Sequence, residues 1–439
     1  MYMLILVAQA AFASPPAQYS TGPSQPLQVE WNDTTLSGLL NEARRNNPSI
    51  LAQNAIAQSA KASANITRAG LLPMVSLYSN WSESPIESLS ASGMPISPDA
   101  PDTYQVRSSG VSASMPLDIF GAATSTWRAS HYTALASKGN AEAVELSIST
   151  AVSNSWYQLL TMRAMLDVTI KQVDIERQLL ELVDIRHKRG DASMLDLLQQ
   201  RQATAAMEST LPNATLNATV AAQSLAILLG RNPDTIDFPA GTLPTVPSIP
   251  NVGKPADLQT RRPDLRAVLH TQTAAKKSQA SAWLSIAPTI GLSGSVGTSG
   301  IAFDEWSESD VWSVGVNASM PIFTSGMATA GIQLVNANAR AATANTEAMW
   351  LTAIREVESA LIGDTTAAQA LTATTLQLDA AKTAWSEAQK QYAAGVASYL
   401  TVANTNQALR RAELSHLGAK LNQIIARITL FDALGASIK

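Results

Sequence analysis

The residues that most often carry chemistry are few and scattered. There is no cysteine, and the four histidines, His131, His187, His270 and His416, lie far apart. This removes thiol nucleophiles, disulfides, zinc–cysteine sites and a lipidated cysteine. No Ser/His/Asp set, glycine-rich phosphate loop or metal-ligand cluster is visible, so neither enzyme activity nor a cofactor or metal is expected. A net charge of −4 gives no basic footprint, so nucleic acid is not an expected partner. The regular spacings belong to other residues. Gly190 and Gly395 stand 205 residues apart, and each is followed three residues later by a serine, Ser193 or Ser398. Glycine reverses a chain through conformations other residues avoid, and a serine so placed caps a returning helix.

The elements around these turns follow from composition and repetition. Only 15% of the 439 residues are charged, against roughly 25% in soluble domains. The apolar fraction is 46% but aromatics are 5%, so much of it is alanine, suited to helices that pack closely on one another. The chain repeats itself. Asn47-Pro48-Ser49-Ile50 resembles Arg262-Pro263-Asp264-Leu265, 215 residues on, and Leu72-Pro73 matches Ala287-Pro288. Val111 to Pro116 matches Val316 to Pro321, and Gly121, Gly190 and Gly230 match Gly326, Gly395 and Gly435, all 205 apart. The ten-residue surplus of the first copy falls between Trp81 and Val111, in a Pro-, Ser- and Gly-containing surface loop. Each copy reads as helix, strand, loop, strand, long helix, tight turn, helix. Repeat one spans 46–230, with strands at about 74–84 and 103–117 and a helical hairpin at about 122–229. Repeat two spans 262–435, with strands at about 289–300 and 307–322 and a hairpin at about 325–434. Residues 14–45 are expected to be an extended equatorial segment, 231–261 an irregular Pro-rich linker and 436–439 a tail. A coiled-coil-like seam shows in Ile175, Leu179, Leu182 and Ile185. Ala11-Phe12-Ala13 fits a cleavage site, which makes 1–13 the remnant of a signal peptide, although the usual basic n-region is missing.

The strands alternate. Trp312, Val314, Val316, Ala318 and Met320 share one face, and Ser313, Gly315, Asn317 and Ser319 the other. Val111, Ala113 and Met115 oppose Ser112 and Ser114, while Val75, Leu77 and Trp81, and Ile290, Leu292 and Val296, mark two more such segments. Apolar-out, small-polar-in alternation over about ten residues is the pattern of a transmembrane barrel strand. Four strands cannot close a barrel, for which about eight are needed, so several copies are expected to share one. Tyr78, Trp81, Tyr104, Trp306 and Trp312 are candidates for interfacial girdles.

With these motifs the chain resembles the TolC-like outer-membrane efflux channels, closest to those of resistance–nodulation–division (RND) pumps, in their NodT-like subgroup but without the lipidated cysteine. The match covers about 35–435 and is carried by the repeat pairs, by Arg261-Arg262-Pro263-Asp264-Leu265, by Gly395-Val396-Ala397-Ser398-Tyr399-Leu400 and by the Met-Pro motifs at 115–121 and 320–326. The resemblance implies a mainly α fold with a membrane β-barrel. It implies a homotrimer with a twelve-stranded barrel in outer-membrane lipid and a long coiled-coil α-helical periplasmic tunnel. It also implies docking on a periplasmic adaptor (membrane fusion) protein and an inner-membrane pump. Arg189, Gly190, Ser193, Gly395, Val396 and Ser398 then form the adaptor-docking tips. Asp196 and Tyr392 fall where a coil-to-coil hydrogen bond holds relatives shut. The family's reinforcing arginine falls at Ala397 and is missing, with Arg189 or Lys390 as substitutes. The family's carboxylate rings fall on Thr401 and Asn404, which would narrow the mouth by size and hydrogen bonding alone. The function so implied is a passive exit duct for small molecules such as drugs, toxic compounds or metal ions. The alternatives are the channel of a type I protein-secretion system and, in another class, a soluble periplasmic helical scaffold.

Overall fold

The computed structural model describes residues 28–29, 33–88, 100–234, 237–249, 252, 254–302 and 306–438. The signal-peptide segment and the middle of the loop after the first strand lie outside them. The described elements are, in order, β1 (Gln28–Val29), α1 (Thr34–Asn46), α2 (Pro48–Ala69), β2 (Met74–Pro85), β3 (Thr103–Leu117), α3 (Ala122–Lys188), α4 (Met194–Glu208) and α5 (Leu211–Leu228). After a 3-10 turn at Pro255–Asp257 come α6 (Leu258–Arg261), α7 (Pro263–Leu284), β4 (Thr289–Ala302), β5 (Trp306–Ser319), α8 (Met327–Ala393), α9 (Tyr399–Ala433) and β6 (Ser437–Ile438). The chain forms two compact units, one of 56–138 and 267–347, the other of the remaining segments. The long helices α3 and α8, 67 residues each, contribute to both.

The first unit holds the four-stranded antiparallel sheet, in the order β2-β3-β4-β5. Its ladders carry the repeat. Met74 pairs with Ser114, and moving these by 215 and 205 residues gives Thr289 and Ser319, which also pair. The sheet has two open edges, β2 and β5.

The second unit buries two related cores. In one, α1, α3, α5 and α9 meet around Leu36, Leu40, Trp156, Tyr157, Leu225 and Phe431. In the other, Leu258 and Leu265 meet Val357, Leu430 and Leu434. Val152, Leu225 and Leu229 correspond to Val357, Leu430 and Leu434, and all six are fully buried. The repeats close alike. Gly230 (φ +74°) ends α5 with its Cα against the Asn46 carbonyl, and Gly435 (φ +70°) ends α9 against that of Arg261. Beside them the Asn47 Nδ2 donates to the Leu228 carbonyl at 2.8 Å, and the Arg262 Nη1 to the Ala433 carbonyl at 3.2 Å. Arg262 also pairs with Asp264 and Glu356, each at 2.7 Å. Burial pushes the Asp264 carboxyl up, but the Arg262 bonds outweigh it and hold it below its ordinary value. A buried pair, Arg427 with Asp364 at 2.7 Å, joins α8 to α9.

Four expectations are corrected. Residues 34–46, taken as extended, are helix α1. Asp33 accepts from the Leu36 N–H at 3.0 Å, and its other oxygen accepts from the Trp156 Nε1–H at 3.0 Å, so one carboxylate starts the helix and seats it on α3. The return helix of repeat one, taken as continuous to Leu229, breaks at Ser209–Thr210, with Pro212 at the start of α5. The linker, taken as irregular throughout, ends in the 3-10 turn and α6, and the tail forms β6, parallel to β1.

Candidate channel wall and hairpin turns

In the sheet, register settles which residues share a face. Leu77, Val111, Val296 and Trp312 are successive partners, as are Val75, Ala113, Gly294 and Val314. This face is exposed although it is apolar: Leu77 is 83% exposed, Trp312 78% and Val314 72%. So large an apolar surface marks contact with lipid or another chain rather than water. The opposite face carries Ser112, Ser295 and Ser313 in one row, with the Ser295 and Ser313 hydroxyls 2.9 Å apart. The next row is Tyr78, Gly110, Gly297 and Val311. Here the strands pinch: a Cβ on Gly297 would lie 2.2 Å from the Ser109 carbonyl oxygen, and one on Gly110 2.9 Å from the Tyr78 hydroxyl. Glycine on both strands lets the sheet crease and the phenol lie over it. The arrangement can hold a polar solution on one side and hydrocarbon on the other.

The hairpin turns belong to the other unit and are near copies. Gly190 (φ +84°) donates to the His187 carbonyl at 2.9 Å while the Asp191 N–H reaches Arg186 at 2.9 Å. Gly395 (φ +75°) donates to Tyr392 at 3.0 Å and Val396 to Gln391 at 2.9 Å. Both satisfy the last carbonyls of the incoming helix in the same way. Ser193 accepts from the Asp196 N–H at 3.0 Å, and Asp196 accepts from the Ser193 N–H at 3.1 Å. Ser398 accepts from the Thr401 N–H at 3.3 Å, so Thr401 is the repeat counterpart of Asp196 but lacks the reciprocal bond. Arg189, Gly190, Ser193, Gly395, Val396 and Ser398 are all exposed, as are Thr401 and Asn404.

Asp196 and Tyr392 are not joined as expected within one chain. Among the described residues the bond of Asp196 is to Ser193, whereas Tyr392 is buried among Leu179, Val183, Leu197 and Tyr399. The arginine beside Tyr392 is Arg186, its guanidinium 4.5 Å from the ring centroid, rather than Arg189 or Lys390. The hairpins are instead tied by residues the sequence reading passed over. The Tyr399 hydroxyl donates to Gln200 Oε1 at 2.5 Å, Gln200 Nε2 donates to Glu176 Oε2 at 2.7 Å, and Asn406 Nδ2 donates to Glu176 Oε1 at 2.8 Å. Burial, then the nearby Glu176 and Asp196 charges, push the Tyr399 hydroxyl up to about 12. A signal for this network exists. Gln200 and Thr204 interrupt the core spacing of Leu197 and Met207, as Asn406 interrupts that of Val402 and Leu409.

The family model for outer membrane efflux protein matches residues 39–231 and 255–436. The chain is 27% identical over 424 residues to a solvent efflux pump outer membrane protein, SrpC, of Pseudomonas putida, covering 95% of this chain and 89% of that one. It is 26% identical over 405 residues to a pyoverdine export outer membrane protein, OpmQ, of Pseudomonas aeruginosa, covering 91% and 85%. The Campylobacter jejuni CmeC outer membrane channel superposes with a TM-score of 0.84 over 97% of this chain and 93% of its own, at 20% identity, a likeness of fold. The chain belongs to the outer membrane efflux protein family: it is an outer-membrane efflux channel, not an enzyme.

Proposed function

We propose that three copies of the chain close one twelve-stranded barrel and form the passive exit duct of a tripartite efflux system. The observation that carries this is the sheet itself, with one exposed apolar face, one small-polar face and two open edges. An open edge has no place in lipid, and four strands are too few to close on themselves. In this reading the duct receives small molecules from a periplasmic adaptor and an inner-membrane pump of the RND type. The relatives named for solvent efflux and pyoverdine export favour small cargo over protein. The exposed turns around Gly190 and Gly395, with Val396 at the surface, are the docking tips for the adaptor's helices. Thr401 and Asn404, three residues apart and both exposed, form the uncharged ring at the mouth. Asp196 and Tyr392 belong to the gate, with opening by a small untwisting of the tip helices. Drug, solvent and metal susceptibility of a deletion strain, restored by the gene, tests the function; an unaltered profile rejects it. For the gate, Asp196→Ala should raise single-channel conductance in planar bilayers. Ser193→Ala, which removes the cap but keeps the charge, should leave conductance near that of the parent. Equal effects of the two would assign Asp196 to helix capping alone.

A further inference from the structure

The two open edges carry enough information to set how one copy joins the next. The inference rests on the reading that several copies close one barrel. Within the chain, the ladder between β2 and β3 maps onto that between β4 and β5 by the repeat offsets, 215 residues for the first strand of a repeat and 205 for the second. The ladder between β3 and β4 joins the second strand of repeat one to the first strand of repeat two. Its counterpart joins the second strand of repeat two, β5, to the first strand of repeat one, β2. Those are the two strands left unpaired at the edges.

We propose that β5 of one copy pairs antiparallel with β2 of the next in the register obtained by carrying the inner ladder over. Carried three residues past the end of β5, Leu117 with Ile290 becomes Ile322 beside Val75; within the strands, Val111 with Val296 becomes Val316 beside Trp81. Ser112 with Ser295 becomes Asn317 beside Asn80. From Val75 to Trp81 the register sets apolar beside apolar, with Ser79 beside Ala318; further along the strands Val314 falls beside Glu83. Leu77 falls beside Met320, apolar with apolar, and Tyr78 beside Ser319 on the polar side. A shift of one residue would set Trp81 against Asn317 or Gly315 in place of Val316. It also gives partners to side chains left bare in the single chain, Ile322 at 96% and Leu77 at 83% exposed. One difference from the inner ladder follows. Gly110 with Gly297 becomes Gly315 beside Ser82, so with glycine on one side only the seam pinches less there.

The absence of cysteine from the chain makes the test clean. Directly opposed residues of an antiparallel pair have Cα atoms about 4.5–5.5 Å apart, inside the range of about 4.4–6.8 Å that a disulfide spans, whereas partners two residues off lie at about 7–8 Å. Asn80→Cys with Asn317→Cys should give a ladder of covalently linked copies on mild oxidation in membranes. Asn80→Cys with Gly315→Cys, or with Ser319→Cys, should give little. The inner counterpart, Ser112→Cys with Ser295→Cys, should form an intrachain disulfide and reports that the sheet has folded. Linking by either offset pair in preference to Asn80/Asn317 overturns the register. So does no linking by any seam pair in a protein that is still oligomeric by light scattering and closes the inner disulfide. A folded monomer would instead reject the shared-barrel reading on which the inference stands.

Discussion

At the residue scale, the same glycine does two different jobs, and the structure separates them. Gly190 and Gly435 both have positive φ, but an added Cβ on Gly190 meets open space, while one on Gly435 lies 2.8 Å from the Arg261 carbonyl. Gly190→Ala should therefore cost about 1 kcal/mol, the backbone strain alone. Gly435→Ala should cost about 3 kcal/mol, because strain and a backbone clash add. Urea unfolding of the two variants in detergent checks the order; equal losses would show that the Arg261 contact yields freely. Tyr399 gives a prediction in pH. Its hydroxyl, ordinarily near 10, is pushed up to about 12 in the fold. A raised folded value means full stability below the unfolded one and loss as pH climbs from about 10 toward about 12. Thermal unfolding across that window should fall more for the parent than for Tyr399→Phe, and parallel curves would remove Tyr399 as the source. The glycine pairs were legible in the sequence because their spacing repeats. The Gln200–Glu176–Asn406 network was not, because a polar residue at a core position shows its partner only once another helix is packed against it.

At the scale of elements, caps and breaks decide where helices begin. Helix α1 was hidden although Leu36, Leu39, Leu40 and Ala43 have helical spacing, because four apolar positions in a short segment do not show that other helices will cover them. Asp33→Ala removes the cap of α1 and leaves the Trp156 indole N–H without its acceptor, a loss of about 2–4 kcal/mol. Hydrogen exchange should show faster opening at 34–46 than at 211–228 in that variant. Uniform opening would mean that α1 is held by its apolar face alone. The break at Ser209–Thr210 was equally opaque. Only one repeat has it, and Pro212 gave the one local hint. The strands, by contrast, were legible from alternation, and their registers carry the repeat that the sequence displays.

For the whole molecule, the two faces of the sheet predict opposite responses to charge. Leu77→Arg places a cation on the lipid face and should cost about 2–4 kcal/mol near the bilayer midplane, cutting insertion into the outer membrane. Ser295→Arg, on the polar face, should leave insertion intact and shift ion selectivity toward anions in planar bilayers. Heat-modifiable migration and reversal potentials read the two effects, and an exchange of outcomes would invert the assignment of faces. The ladders bear on the width of the duct as well. Met74 pairs with Ser114, and Ser114 with Ser293, yet the repeat counterpart of Met74 is Thr289, four residues short. The apolar positions repeat as well, since Val75, Leu77 and Trp81 correspond to Ile290, Leu292 and Val296. In the proposed barrel, a climb of four residues over every two strands would incline them by about 54° to the axis, steeper than the usual 35–45°. At fixed strand number such an incline would make the bore about 1.3 times wider than a 40° tilt. The gauge of the opening would thus be written in the stagger between neighbouring strands as much as in the number of copies.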